Sequence, residues 1–120
     1  MADSRFPQRV FGVGTEPDAR FTLANERTFL AWIRTSLALI AGGVALAALD
    51  LPLQPGLKLA AALVLVVSGI LSPLQAWFGW ARVEQAIRRS EPLPGSRLAA
   101  PLAGAVAVVG ILLLLGFALR

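Results

Sequence analysis

Two groups of polar side chains recur at intervals of seven residues beside long apolar segments. The first group is Arg20, Arg27 and Arg34. The second group is Ser68, Gln75, Arg82 and Arg89. Residues seven apart lie on nearly one line of an α-helix, so each group predicts a polar stripe along a helix. Because guanidinium groups bind phosphate oxygens through planar, paired hydrogen bonds, both stripes indicate anion binding.

Asn25 and Glu26 lie between arginines of the first stripe. A buried charge without a partner is costly, so a glutamate in this position suggests an ion pair. We predict that Glu26 holds an arginine of the second helix in place, with Arg82 and Arg88 as the candidates. Asn25 is expected to hydrogen-bond across the same junction. Glu84 is also spaced for an i, i+4 pair with Arg88. The two stripes would then line one basic vestibule.

Arg27 and Arg34 also fit a simpler interpretation, in which they anchor the first helix at the membrane surface. An arginine at the bilayer centre costs about 2.5–3.5 kcal/mol on insertion scales. These two lie near the start of the apolar segment, where the side chain reaches water and the cost falls. Anchoring accounts for Arg34, but not for the seven-residue spacing on two helices or for Glu26. The sequence leaves both interpretations open.

The composition places these stripes in an integral membrane protein. Of the 120 residues, 57% are hydrophobic and 15% are charged, whereas soluble domains average about 45–50% and about 25%. A spanning helix needs about 20 mostly apolar residues, and residues 29–49, 57–77 and 98–119 qualify. The runs "DLPLQPG" and "RRSEPLPGSR" separate them. The sequence therefore predicts an all-α fold with three transmembrane helices in residues 20–120, after a flexible cytoplasmic tail of residues 1–19.

The basic residues collect on one side of the three predicted helices. Nine of the eleven Lys and Arg residues lie in the N-terminal segment through Arg34 or in the stretch after the second span. Trp32, Trp77 and Trp80 fall on the same side, where an aromatic belt is expected. Because cytoplasmic loops are enriched in Lys and Arg, we predict that the N-terminus is cytoplasmic and the C-terminus lies outside.

The first predicted span has a small face and a bulky face. The small face continues the line of arginines and comprises Ala31, Ala38, Ala41 and Ala45. The bulky face comprises Phe29, Trp32, Ile33, Leu39 and Ile40. Small residues let another helix approach closely. We therefore expect the bulky face to meet lipid and the arginine face to meet protein or water.

The run "LANERTFLAWIRTSLALIAGGVAL" at residues 23–46 resembles the signature of the YidH family, which comprises small three-span proteins of the bacterial inner membrane. The stretch from Arg82 to Arg88 and the "PLP" at residues 92–94 also resemble the family. The resemblance covers most of the chain from Arg20 onward and leaves residues 1–19 outside. It implies a multi-pass protein of the bacterial inner (cytoplasmic) membrane.

The same membrane domain is similar to that of the eukaryotic vacuolar transporter chaperone complex, a multi-subunit assembly in which basic residues line a proposed route for polyphosphate. This similarity implies that Arg20, Arg27 and Arg82 lie along an anion route with Glu26 as a partner. It also favours a homo-pentamer. We expect no soluble polymerase domain in a chain of this length, so the similarity does not extend to polyphosphate synthesis.

Together these observations predict an oligomeric inner-membrane protein with a basic cytoplasmic vestibule that conducts phosphate-rich anions such as polyphosphate. The residues predicted to line it are Arg20, Arg27, Arg34, Arg82 and Arg89, supported by Asn25, Glu26 and Gln75. The alternative is a structural or regulatory membrane module that assembles with a partner and transports nothing. Membrane lipids, including anionic ones beside the basic loop, are further expected partners.

Catalysis is not expected from this sequence. Histidine, cysteine and tyrosine are absent, which removes the commonest general base and the thiolate nucleophile. The carboxylates near the predicted spans share no spacing that suggests an acid–base pair. We therefore predict no enzyme activity, no metal site and no cofactor. Nucleic-acid binding is also not expected, because the membrane topology accounts for the arginines.

Overall fold

Three long helices and one short helix make up the secondary structure in the part of the chain that the structure describes. The computed structural model describes residues 5–95, 97 and 99–120. The helices are α1 (Gln8–Phe11), α2 (Ala19–Ala48), α3 (Pro55–Arg88) and α4 (Ala99–Ala118). The three long helices are each long and apolar enough to cross a membrane. The predicted all-α fold with three transmembrane helices is therefore confirmed.

α2 and α3 are much longer than the segments predicted to span the membrane. They contain 30 and 34 residues, which at about 1.5 Å per residue corresponds to roughly 45 and 51 Å. The hydrocarbon core of a bilayer is about 30 Å thick, so both helices extend well beyond it. The extra turns lie at the end that carries most of the arginines. We call this end, formed by residues 5–34, 75–95 and 97, the basic end.

Side-chain caps determine where α2 and α3 begin. Asp18 precedes α2, and its Oδ1 accepts a hydrogen bond from the Arg20 amide at 2.9 Å. Gln54 precedes α3, and its Oε1 accepts from the Leu57 amide at 2.7 Å. Pro55 occupies the start of α3, where its missing N–H is not needed. In each helix an otherwise unpaired amide of the first turn gains an acceptor.

α3 is the central helix, with α2 packed along one side and α4 along another, and no Cα atoms in the described parts of α2 and α4 lie within 8 Å of each other. Glycines allow α2 and α3 to approach closely. A Cβ at Gly69 would lie 2.9 Å from the Ser36 carbonyl oxygen, and one at Gly43 would lie 2.8 Å from the Ala62 carbonyl oxygen. A larger residue at either position would therefore force the two helices apart.

α4 is tied to the bundle mainly at the end opposite the basic end. The Gln54 amide donates to the Gly116 carbonyl oxygen at 3.0 Å, and Leu53 packs on Gly116. The small apolar core comprises Leu46, Leu53, Ala61, Ala62 and Val109. Many large apolar side chains are exposed along all three long helices. Such exposure suits surfaces that meet lipid.

The structure corrects the predicted orientation of α2 within a single chain. The contact with α3 runs through the buried residues Asn25, Ser36 and Gly43. The five bulky residues flank this line and are half-buried, whereas the four alanines of the small face are exposed. The physical reason is that Gly43 and Gly69 permit a closer approach than alanine does. The glycine side of α2 therefore packs on α3, and the alanine face stays uncovered.

Candidate functional site at the basic end

Residues 5–17, which the sequence assigns to a flexible tail, fold back onto the end of α3. We call this segment the N-terminal strap. The Thr15 amide donates to the Arg88 carbonyl oxygen at 3.0 Å. The Gln85 side-chain amide donates to the Arg9 carbonyl oxygen at 2.7 Å. Val10, within α1, is fully buried. The strap therefore contributes directly to the basic end.

Gly14 lets the strap cross the end of α3. Its φ of +58° lies in the left-handed region, and a Cβ there would lie 2.6 Å from the Arg88 carbonyl carbon. Only glycine can adopt this φ and also approach the Arg88 carbonyl group without strain, because it has no Cβ. The run "GVGTE" at residues 12–16 thus serves a close crossing of two backbone segments.

Arg88 binds the strap with its whole guanidinium group. Nε and Nη2 donate to the carbonyl oxygens of Val13 and Phe11, each at 2.8 Å. Nη1 donates to Glu16 Oε2 at 3.1 Å, and Arg5 binds the same carboxylate at 2.5 Å. Hydrogen bonds from Arg5 and Arg88 hold the pKa of Glu16 below its ordinary value of 4.5. With a side chain only 5% exposed, Arg88 is a structural residue rather than a free anion ligand.

A fully buried carboxylate, Glu84, links α2 to α3. The Thr22 hydroxyl donates to its Oε1 at 2.8 Å, and the Asn25 side-chain amide donates to its Oε2 at 3.0 Å. The same amide donates to the Trp80 carbonyl oxygen at 3.0 Å. Each Glu84 oxygen thus has a donor, as burial of a polar group requires. Asn25 lies across the junction where the sequence places a helix–helix hydrogen bond.

The ion pairs predicted for Glu26 and Glu84 are not formed among the residues that the structure describes. Glu26 is exposed, because it follows Asn25 by one residue and lies about 100° around α2 from the contact with α3. Glu84 is bound by α2, and Arg88 by the strap. The buried acid of this junction is therefore Glu84 rather than Glu26.

The arginine stripe of α2 faces away from α3. Arg20, Arg27 and Arg34 are all exposed. At about 100° per residue, Arg27 and Arg34 lie about 180–200° around the helix from Asn25, which marks the contact with α3. Arg20 pairs with Asp18 at the start of the helix, with 3.0 Å between Nη2 and Oδ2. In a single chain these guanidinium groups open onto the surroundings.

Arg82 lies on a different side of the bundle from that stripe. With Gln75 and Arg97 it lines a cavity of about 200 Å³ between α2, α3 and the loop before α4. Its Nε atom is buried and has no hydrogen-bond partner among the described residues. Arg89 is exposed where α3 ends. One chain does not bring the two predicted stripes together, so a vestibule lined by both would require neighbouring copies.

Aromatic rings join the strap to α2 and α3. The Trp77 and Trp80 ring centroids are 5.2 Å apart, and Phe29 of α2 lies 6.3 Å from Trp77. From the strap, Phe6 lies 6.4 Å from Trp77 and Phe11 lies 5.9 Å from Trp80. Ring pairs at such distances contribute about 0.5–1.5 kcal/mol each beyond their buried area. The two tryptophans are thus the surface on which the strap packs.

Sequence reasoning missed both the buried Glu84 and the packing of the strap. Glu84 is the only acidic residue in α3, and Thr22 and Asn25 are spaced i, i+3 so that both face one partner. These two features of the sequence could have predicted the hydrogen bonds between α2 and Glu84. For the strap, the signal was the pair Phe6 and Phe11, because apolar rings gain free energy when another surface covers them.

Comparison with known proteins identifies the region that carries this junction. Residues 20–86 match the model of a protein family described as a domain of unknown function (DUF202). The matched range contains all of α2 except its first residue and most of α3, and it excludes the strap and α4. The chain is 45% identical over 100 residues to the uncharacterized protein Rv2272 of Mycobacterium tuberculosis, covering 82% of each chain.

A second relative gives the cellular location. The chain is 44% identical over 88 residues to the inner membrane protein YidH of Escherichia coli K12, covering 72% of this chain and 76% of YidH. No solved structure matches the chain significantly. The resemblance to the YidH family is thereby confirmed. The family model covers more than half of the chain. Three helices of this chain are long and apolar enough to cross a membrane. This chain therefore belongs to the DUF202 family and is a multi-pass protein of the bacterial inner (cytoplasmic) membrane.

Proposed function

We propose that this protein assembles into a homo-oligomer in which the α2 helices surround a shared passage for phosphate-rich anions such as polyphosphate. The observation that supports the proposal is the uncovered face of α2. It carries Arg20, Arg27 and Arg34 at the basic end and exposed alanines farther along the helix. No other part of the described chain covers this face.

Contact between this face and lipid would be unfavourable at its arginines. Arg34 lies within the apolar segment of α2, and an arginine in hydrocarbon is costly even when its side chain reaches toward the surface. A water-filled space shared by neighbouring copies removes this cost. Rings of arginine suit anion pores, because guanidinium groups bind phosphate oxygens in pairs of hydrogen bonds.

The alanine part of the face would bring neighbouring α2 helices together, since small residues permit close helix packing. Glu26, exposed beside Arg27, would pair with an arginine of a neighbouring copy. Arg89 would add positive potential at the mouth of the passage. Five copies are favoured by the similarity to the vacuolar transporter chaperone complex. The positive-inside rule favours a cytoplasmic location for the basic end.

The test is anion release from vesicles that contain the purified protein. Vesicles loaded with polyphosphate should release it when the wild-type protein is present, and Arg27→Gln should reduce the rate several-fold. Arg9→Gln is the matched control, because Arg9 is also exposed at the basic end but lies in the strap. Native mass spectrometry must show the same oligomer for all three proteins. No release by wild type, or equal release by assembled Arg27→Gln, would refute the proposal.

The second candidate function is a structural or regulatory module that transports nothing. One observation favours it: the faces with small-residue spacing on α4 are also uncovered in the single chain. These faces contain Ala100, Ala103, Gly104 and Ala107, all exposed. Such a face suits the helix of a partner protein. A partner that co-purifies in stoichiometric amounts with a wild-type protein lacking anion flux would support this function over the first.

A further inference from the structure

Two cavities at the basic end share the residues Gln75, Arg82 and Arg97. The first, of about 200 Å³, lies between α2, α3 and the loop before α4, and also includes Asn25 and Thr28. The second, of about 520 Å³, is an open groove between α3 and the start of α4. Apolar residues line the rest of the groove: Leu71, Leu74, Phe78 and Pro101. One continuous surface therefore runs from a basic region to an apolar one.

The basic part of this surface lacks a counter-charge in the described chain. No aspartate or glutamate lines either cavity among the described residues. Arg82 Nε is buried and without a hydrogen-bond acceptor in the same part of the chain. A buried donor left without an acceptor lowers stability, and a charged one more so. The site therefore favours an anionic group placed between Arg82 and Arg97.

The apolar part of the surface has the dimensions of one bilayer leaflet. Leu71 precedes Arg82 by eleven positions on the same helix, which corresponds to roughly 16 Å along α3. Half of a hydrocarbon core is about 15 Å. Trp32 and Trp80 also line the first cavity, and tryptophan is enriched at the depth of lipid headgroups. A ligand with an anionic head and an acyl tail matches both parts at once.

We propose that this groove binds an anionic phospholipid. Its phosphate lies between the guanidinium groups of Arg82 and Arg97, with Gln75 as a further donor. One acyl chain lies along Leu74 and Leu71 toward the bilayer centre. The inference goes beyond the proposed anion passage, because the groove is formed by α3, α4 and their loop rather than by the outer face of α2. It assigns Arg82 to a lipid rather than to the passage.

Binding of defined lipids to the purified protein in detergent tests this site. Phosphatidylglycerol should remain bound in native mass spectra and raise the melting temperature, whereas phosphatidylcholine should do neither. Arg82→Gln/Arg97→Gln should weaken phosphatidylglycerol binding about tenfold or more, because two phosphate contacts are lost. Arg9→Gln/Arg120→Gln removes the same charge outside both cavities and should bind like wild type. Equal binding by the two double variants would overturn the proposal.

Two further measurements distinguish lipid binding from the binding of free phosphate, and a lost binding site from a folding defect. Inorganic phosphate at the same concentration should not displace phosphatidylglycerol. If it stabilises the protein equally and phosphatidylglycerol adds nothing, the site binds free phosphate and the lipid assignment fails. Arg97→Gln alone changes an exposed loop residue, so it should fold normally and still weaken lipid binding. Leu71→Gln should also weaken it, and unchanged binding in both single variants would contradict the proposal.

Discussion

The two ends of this bundle are joined by different kinds of contact. At the basic end, hydrogen bonds that Glu84 accepts from α2 and that Arg88 donates to the strap connect α2, α3 and the strap. At the opposite end, Leu53, a member of the small apolar core, packs on Gly116. In hydrocarbon, helix association depends on close packing, whereas helices that extend beyond it can also use polar side chains. The glycine contacts at Gly43 and Gly69 thus determine how near α2 and α3 lie. The hydrogen bonds to Glu84 determine which residues of the two helices face each other.

The largest effect is expected from a change that prevents the close approach of α2 and α3. Gly69→Leu places a side chain where a Cβ alone would lie 2.9 Å from the Ser36 carbonyl oxygen. We expect a loss of about 3 kcal/mol or more in the free energy of unfolding, because the two backbones must separate. Thermal unfolding in detergent measures it. Gly110→Leu is the control, since a Cβ at Gly110 meets nothing within 4 Å. Equal melting temperatures for both variants would show that close packing does not control stability.

The next effect concerns the polar junction at the basic end. Glu84→Ala leaves the Thr22 hydroxyl and the Asn25 amide without their buried acceptor. Loss of a buried hydrogen-bond partner costs about 1–3 kcal/mol per group left unpaired, so we expect about 2–3 kcal/mol. Denaturant unfolding measures this difference. Glu26→Ala removes an equal charge from an exposed position and should change stability by less than about 0.5 kcal/mol. If Glu26→Ala lost more stability than Glu84→Ala, Glu26 would be the acid that joins the two helices.

A smaller and local effect is expected at the strap. Gly14→Ala adds a Cβ at a φ of +58° beside the Arg88 carbonyl group, which costs about 1–3 kcal/mol. The strap should therefore detach while the three long helices stay folded. Limited proteolysis should cleave within residues 5–17 about tenfold faster or more, since each 1.4 kcal/mol is a factor of about ten. Gly95→Ala, at a position with open space, should leave the cleavage rate unchanged.

The smallest effect is the response of the strap to pH. The pKa of Glu16 is lowered below 4.5 in the folded protein. Its full contribution to the stability of the docked strap is therefore present above pH 4.5. It is lost as pH falls through the lowered pKa. The Thr15 amide resonance, which reports the bond to Arg88, should shift toward its unfolded position on acidification. Glu16→Gln should remove this dependence between about pH 6 and about pH 3, a range that includes the ordinary pKa of a carboxyl group. A transition that persists in the variant would exclude Glu16 as its source.

Much of the fold could be predicted from composition and spacing, while the partners of individual polar residues could not. The helices follow from local signals, such as apolar length and the prolines and glycines of the turns. Glu84 shows the limit, since Thr22 and Asn25 are 62 and 59 residues away in the chain. An i, i+4 spacing made Arg88 the expected partner. The strap offered Arg88 three acceptors instead.

By itself the sequence determined that this chain crosses a membrane, because long apolar runs must satisfy their backbone groups as helices in lipid. It also determined that Arg20, Arg27 and Arg34 share one face of α2, because helical spacing is a local property. The tertiary structure alone decided which face of α2 packs on α3. That choice depends on backbone approach at Gly43 and Gly69, where the gain from close packing arises between residues far apart in the chain.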